Sequence, residues 1–226
     1  MATHTDKSYE KELKDLRDQL LEMGGLVEAA LSSAVRAITE RNAELADKVK
    51  TKDREINRME VAVDQACRRI LALRQPAASD LRFITTALKI VVDLERMGDL
   101  AVNVAERAID LAHAPALAPQ HDLQKLADLS EAQLKRALDA FVTGDVGKAE
   151  EVMRGDELLD ALYLKIFNDL LAQMMEDSRN IRRATSVLFA AKHLERFGDH
   201  ATNLAEMVVY MVRGTDVRHP KSRAGA

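Results

Sequence analysis

The thirteen residues LERMGDLAVNVAE at 94–106 return one hundred positions later as LERFGDHATNLAE at 194–206. Nine of the thirteen positions are identical, and both copies keep Glu, Asp, Asn and Glu in the same places. The match runs upstream in register through Leu88/Leu188, Thr85/Thr185 and Arg82/Arg182. Such a repeat points to an internal duplication, and its helical spacing decides the fold. In the first copy, Ile84, Ala87, Val91, Leu94, Val102, Ala105 and Ile109 form one apolar stripe.

The surrounding chain extends this pattern. Good helix formers dominate, against nine Gly, four Pro and no Trp in 226 residues, so the expected class is all-α. The spacing predicts three long helices, 6–41, 43–74 and 79–112, and then three more, 121–142, 146–176 and 181–213. Ile56, Met59, Val63, Ile70 and Leu73 supply the core stripe of the second helix. Pro76 stops that helix, with Ser79 placed to cap the next, and Gly24-Gly25 weakens the first. Pro115 and Pro119 divide the chain, and Asp145 is placed as a cap after the turn at 143–145. The expected organisation is therefore two tandem three-helix bundles, 1–114 and 120–214, with a disordered tail at 215–226.

Composition excludes several functions. The formal net charge of −4 lacks the basic excess of a nucleic-acid binder. The single Cys67 cannot form an internal disulfide, which suits a reduced, cytosolic setting, and it reads as a small buried hydrophobe. No apolar signal-peptide core opens the chain, and no run of about 18 apolar residues spans a membrane, so membrane contact is expected only through a partner. Ser/His/Asp constellations, phosphate-binding Gly-rich loops and Cys clusters are missing, which argues against an enzyme.

The repeated phrase also carries a geometry. At about 100° per residue, Asp99, Asn103 and Glu106 fall within about 80° of Glu95, as do Asp199, Asn203 and Glu206 of Glu195. The stripe borders the apolar face, close to a neighbouring helix. Like charges at i,i+4 repel, so the pattern needs a counter-charge, and Arg96 and Arg196 point about 100° away. The preceding helix faces the stripe. About the turn near residue 76, Asp53 and Asn57 lie 23 and 19 residues before, and Asp99 and Glu95 lie 23 and 19 after. About the turn near 178, Asp156 and Asp160 lie 22 and 18 before, and Asp199 and Glu195 lie 21 and 17 after. Each half thus brings four oxygen-bearing side chains to one height. Such a set suits a hard cation, Mg²⁺, Ca²⁺ or Mn²⁺, or else iron or zinc. A network of salt bridges, or carboxyls sharing protons without metal, is the alternative. Gly98 and Gly198 cost about 1 kcal/mol each in mid-helix, which suggests close approach by another helix or a ligand.

Together the two phrases, the turn RQPAASDLR at 74–82 and the duplicated three-helix plan resemble the PhoU family of bacterial phosphate-transport regulators. The resemblance covers residues from about 9 to 213. It implies two three-helix bundles, each with a metal-binding face on paired E(D)xxxD motifs. On this sequence those faces fall at Asp53, Glu95 and Asp99, with Asn57 departing from the motif, and at Asp156, Asp160, Glu195 and Asp199. The resemblance also implies a cytoplasmic homodimer at the inner face of the membrane. It would link the ATPase of the Pst phosphate ABC transporter to a sensor histidine kinase, holding down phosphate uptake and the phosphate-starvation response.

Two rivals from other classes make distinct demands. A di-metal carboxylate oxidase in a helix bundle needs Glu-x-x-His, which occurs nowhere in the chain. Phosphotransfer on a helical histidine would fall on His193, beside Leu194 and Glu195. Arg82 and Arg182, each opening the third helix of its half, are candidate contacts for an acidic partner surface or simply solvated helix ends.

Overall fold

In the computed structural model, which describes residues 7–112, 115, 117 and 120–217, six α-helices account for nearly all of the described backbone. They are α1 (Lys7–Glu40), α2 (Ala43–Leu73), α3 (Ala78–Leu111), α4 (Gln120–Thr143), α5 (Val146–Glu176) and α6 (Ile181–Arg213), with no strand among the described residues. Pro119 and most of the expected tail lie outside the described residues.

The duplication is visible in how the helices end. Arg41 and Gly144 both take a left-handed backbone, φ +55° and +64°, closing α1 and α4. The next residue reaches back in each case, Asn42 N to Ala37 O (2.9 Å) and Asp145 N to Ala140 O (3.0 Å). Each of these residues then caps the following helix. Asn42 Oδ1 accepts from Leu45 N (3.0 Å), and Asp145 Oδ1 accepts from Lys148 N (3.1 Å). Ser79, by contrast, sits inside the first turn of α3. The cap position falls to Ala77, which makes no side-chain cap, because α3 begins two residues after Pro76. The turn at 177–180 tightens into a 3₁₀ turn, Ser178–Asn180, held by Asp177 Oδ1 accepting from Arg179 N (2.9 Å).

Within each half the three helices pack on one another, α1 with α2 and α3, and α4 with α5 and α6. The halves meet through α3 on α6 and α1 on α4. Four helices thus form a centre, α2 and α5 flank it, and one apolar core runs through both halves. Helices α3 and α6 cross antiparallel. Arg82 Nε donates to Met211 O (3.1 Å), and His200 Nδ1 lies 2.6 Å from Asp93 Oδ1. Gly24 explains itself at the α1–α4 seam, since a β-carbon there would run into the Leu138 side chain. The helix tolerates Gly24 because the seam needs the space. The expected stripe of α2 holds at Ile56, Val63 and Ile70 but fails at Leu73, which is 71% exposed where the helix outruns its partners. Cys67 is fully buried, and burial pushes its thiol up to about 12, so it stays a neutral core side chain.

Candidate functional site

Each half presents one carboxylate face between its outer helix and the helix carrying the repeated phrase. In the first half, Asp53 of α2 is coupled to Asp99 of α3, and Glu95 to both of them. Asn57 Nδ2 donates to Asp53 Oδ2 at 3.0 Å, while Asp53 Oδ1 is buried with no hydrogen-bond partner among the described residues. Gly98 makes the approach possible. A β-carbon on it would lie 3.0 Å from Ile56 Cδ1 and 3.3 Å from Asp53 Oδ1. Burial first, and then Asp99, raises the carboxyls of Asp53 and Glu95 above the ordinary range. Arg96 reaches further round the helix than its Cα direction suggests. Its guanidinium lies 3.8 Å from Glu95 and 3.9 Å from Asp99, long contacts that offset the repulsion only in part. Glu60, two turns along α2 from Asp53, adds its charge to Glu95.

The second face is tighter. Carboxylate oxygens of Asp160, Glu195 and Asp199 all lie within 4.8 Å of one another. Asp160 and Asp199 keep an edge in water, whereas Glu195 is only 8% exposed. Lys192 Nζ donates to Glu195 Oε1 at 2.6 Å, leaving Glu195 Oε2 buried without a hydrogen-bond partner among the described residues. Asp156 accepts from Thr202 Oγ1 (3.2 Å), and its carboxyl is raised by burial first and then by Asp160 and Glu195. The Asp199 carboxyl is pushed up to about 6, by burial and then by Glu195 and Asp156, against the pull of Lys192. Gly198 again allows contact, with Leu159 Cδ1 only 2.6 Å from where its β-carbon would stand.

Not every predicted residue joins these faces. Asn103 and Asn203 lie one turn further along, half-buried, and no hydrogen bond among the described residues ties them to the carboxylates. Beyond Asn103, Glu106 meets Lys50 of α2 at 3.8 Å, so that end of the stripe is already neutralised. Arg82 is occupied by the Met211 carbonyl, while Arg182 is exposed at the start of α6. His200 is turned to Asp93 of the other half. His193 has a buried Nδ1 with no hydrogen-bond partner among the described residues, and burial, then Arg107 and Arg196, lower its pKa. A charged or phosphorylated imidazole is disfavoured there. Lys192 and Glu60 are contributors that lie outside the repeated phrase, and Thr202 lies within it at a position where the two copies differ.

Two buried carboxylate oxygens, one per face, find no donor among the described residues, and a hard divalent cation would satisfy them. Without such a cation, the crowded carboxylates favour protons. Asp53, Glu95, Asp156 and Asp199 are all held above their ordinary values, so the folded chain binds protons more readily than the unfolded chain between about pH 4 and 6. That contribution is present in full below the unfolded pKa and is lost as pH rises through the folded pKa. Cation-free protein should therefore show a flatter acid loss of stability than an Asp199→Asn variant, as read by melting temperature from pH 7.5 to 5. The variant comparison isolates the carboxylate, because His193, with its lowered pKa, acts in the opposite sense. Identical pH profiles for the two proteins would contradict this.

An all-helical protein made of one three-helix unit used twice, with a carboxylate face on each copy, is the class that fold and site define. The PhoU domain family matches residues 20–108 and again 123–208, one match per half. The chain belongs to the PhoU family. It is 44% identical over 220 residues to the phosphate-specific transport system accessory protein PhoU homologue of Pseudomonas aeruginosa, covering 97% of this chain and 91% of that protein. It is 39% identical over 219 residues to the accessory protein PhoU of Escherichia coli, covering 96% and 90%. The crystal structure of PhoU from P. aeruginosa superposes with a TM-score of 0.88 at 43% identity, over 92% of this chain and all of that one. The phosphate transport system regulatory protein PhoU of Streptococcus pneumoniae gives 0.87 at 32% identity, covering 92% and 99%. These relatives carry the names of accessory and regulatory proteins, not of enzymes. Among the described residues, no helix is long and apolar enough to cross a membrane.

Proposed function

We propose that this protein is a negative regulator of phosphate uptake and of the phosphate-starvation response. It acts as a cytoplasmic adaptor, homodimeric, between the ATPase subunit of the phosphate ABC transporter and a phosphate-sensing histidine kinase, and it meets the membrane only through them. The observation that carries this reading is full-length likeness to proteins named for the phosphate-specific transport system, in both halves and at about two residues in five. The two units, 1–114 and 120–214, each hold one cation. Asp53, Asn57, Glu95 and Asp99 form the first set, and Asp156, Asp160, Glu195 and Asp199 the second, with Asn103 and Asn203 at the edge of each.

When bound, the cation supplies positive charge that cancels carboxylate repulsion and draws α2 to α3 and α5 to α6. The chain's own residues then do the rest. Gly98 and Gly198 set the approach of the helices, Lys192 and Arg96 hold part of the charge balance, and Arg182 offers an exposed cation to an acidic partner surface. Metal-dependent oxidation is not favoured, because neither face carries a Glu-x-x-His pair. Affinity capture of the tagged chain from phosphate-replete cells tests the adaptor reading. Both the transporter ATPase and the sensor kinase should be enriched over a tag-only control. Recovery of neither would overturn it.

A further inference from the structure

The duplication makes two equivalent junctions between the halves, and they differ in what fills them. Helix α1 maps onto α4 with an offset of 103, and α3 onto α6 with an offset of 100. At one junction the ends of α1 and α3 meet the starts of α4 and α6. Its wall carries Ile38, Arg41 and Leu111, with Pro115 and Leu117 of the connecting segment beside them, and only about 20 Å³ is left. The other junction lies between the starts of α1 and α3 and the ends of α4 and α6. There Phe141, Gly144 and Met211 take the places of Ile38, Arg41 and Leu111, and a cavity of about 670 Å³ stays open.

Lys14 and Arg17 of α1 and Arg82 of α3 converge on this cavity. None of them makes an ion pair among the described residues. The Arg17 guanidinium is held over the Phe83 ring, 5.0 Å from its centre, and Phe83 is stacked on Phe141 at 5.5 Å. Arg17 Nε is nevertheless buried with no hydrogen-bond partner among the described residues. Arg82 is anchored at the other side by its Nε donating to Met211 O, which leaves its terminal nitrogens to face the cavity wall without an acceptor among the described residues. Ser79 adds a hydroxyl from the first turn of α3, a turn that no side chain caps. The acids on the wall are Glu10, which is exposed, and Asp80, which accepts from the Tyr9 hydroxyl at 3.1 Å. Cations therefore exceed acids, and between them the wall is apolar, at Leu13, Val142 and Val212.

We propose that this cavity binds a small organic polyphosphate, of the class of nucleoside di- and triphosphates. Guanidinium forks and an ammonium group match the oxygens of a phosphate chain, and a bound phosphate would give Arg17 and Arg82 the acceptors they lack. The volume falls in the range of sites that enclose organic ligands and exceeds what inorganic phosphate needs. The apolar wall takes the organic body. Because four helices from both halves line the cavity, the ligand would tie the halves together at this end. None of the residues of the two carboxylate faces lines it, so binding here is independent of the cation reading and of the adaptor reading above.

Equilibrium dialysis of the full chain against ATP tests this, in buffer with a chelator so that no metal on the carboxylate faces can hold phosphate. Parent protein should bind about one ATP per chain. Arg17→Gln with Lys14→Gln should weaken binding by about tenfold or more. Arg58→Gln, which removes an exposed cation of α2, should leave it unchanged. Adenosine should not compete measurably, and inorganic phosphate should bind more weakly than ATP. If the double variant loses helicity by circular dichroism, Lys14→Gln alone, at an exposed position, should still weaken binding by about threefold. Absence of ATP binding by the parent would overturn the proposal. So would undiminished binding by the variants, equal loss in Arg58→Gln, or competition by adenosine as strong as by ATP. Inorganic phosphate binding as tightly as ATP would overturn the organic class of ligand.

Discussion

Replacing Asp99 and Asp199 together by alanine is expected to leave helicity unchanged and to remove most of the thermal stabilisation that a divalent cation gives the parent protein. Both side chains sit at the water edge of their faces, outside the apolar core, so truncation opens no cavity. Loss of the Asp199 carboxylate removes one of three groups whose oxygens lie within 4.8 Å, and loss of Asp99 removes the charge coupled to both Asp53 and Glu95. A ligand at a hundred times its dissociation constant stabilises the folded state by about 2.7 kcal/mol per site. For a chain of this size that corresponds to a rise of about 5–10 °C for each site. The double variant should show a small fraction of that rise. In the absence of cation it should melt no lower than the parent, because mutual repulsion has been relieved. Melting curves with and without Mn²⁺ decide it, and an undiminished shift in the double variant would remove these two carboxylates from the sites.

Deleting the gene for this chain is expected to bring expression of phosphate-starvation genes in phosphate-rich medium close to the starved level. Reintroducing the parent sequence should restore repression, and Asp99→Ala/Asp199→Ala should restore it poorly. Two separate points join here: relatives of this chain are named for the phosphate-specific transport system, and crowding on the second carboxylate face pushes the Asp199 carboxyl up to about 6. Reporter expression in the three strains measures both. Normal repression in the deletion strain would contradict the regulatory role. Full rescue by the double variant would place regulation elsewhere on the molecule.

Much of this architecture was legible in the sequence because helices announce themselves by period. The predicted spans of α5 and α6 match at both ends and the other four helices differ by at most one residue at an end, and the repeated phrase marks one side of both carboxylate faces. Antiparallel hairpins convert distance from a turn into height, so Asp53 could be set level with Asp99 and Asp156 with Asp199 from counting alone. What escaped was lateral. Periodicity on one helix does not say which other helix will lie beside it, so the His200–Asp93 contact and the Gly24–Leu138 fit between halves were invisible. Long side chains also defeat the wheel. Arg96 curls back to Glu95 although its Cα direction points away. Ser79 failed as a cap because Pro76 lets the helix begin a residue earlier. Glu60 carried a signal that counting would have found, seven residues from Asp53 on the same face.

The duplication also assigns unequal chemistry to equal places. Asn57 stands where the second half has Asp160, and its amide nitrogen, which donates to Asp53, binds no cation. The first face thus has one carboxylate fewer among its four matched positions and a neutral donor that satisfies part of Asp53. The second has Glu195 buried, with an oxygen that no donor among the described residues reaches.

Cation content measures the central claim most directly. After chelation and dialysis against excess Mn²⁺, elemental analysis of the purified parent chain should find close to two ions per chain, and Asp99→Ala/Asp199→Ala should fall well below one. Retention of no more metal by the parent than by a non-binding control protein would contradict the account of its carboxylate faces.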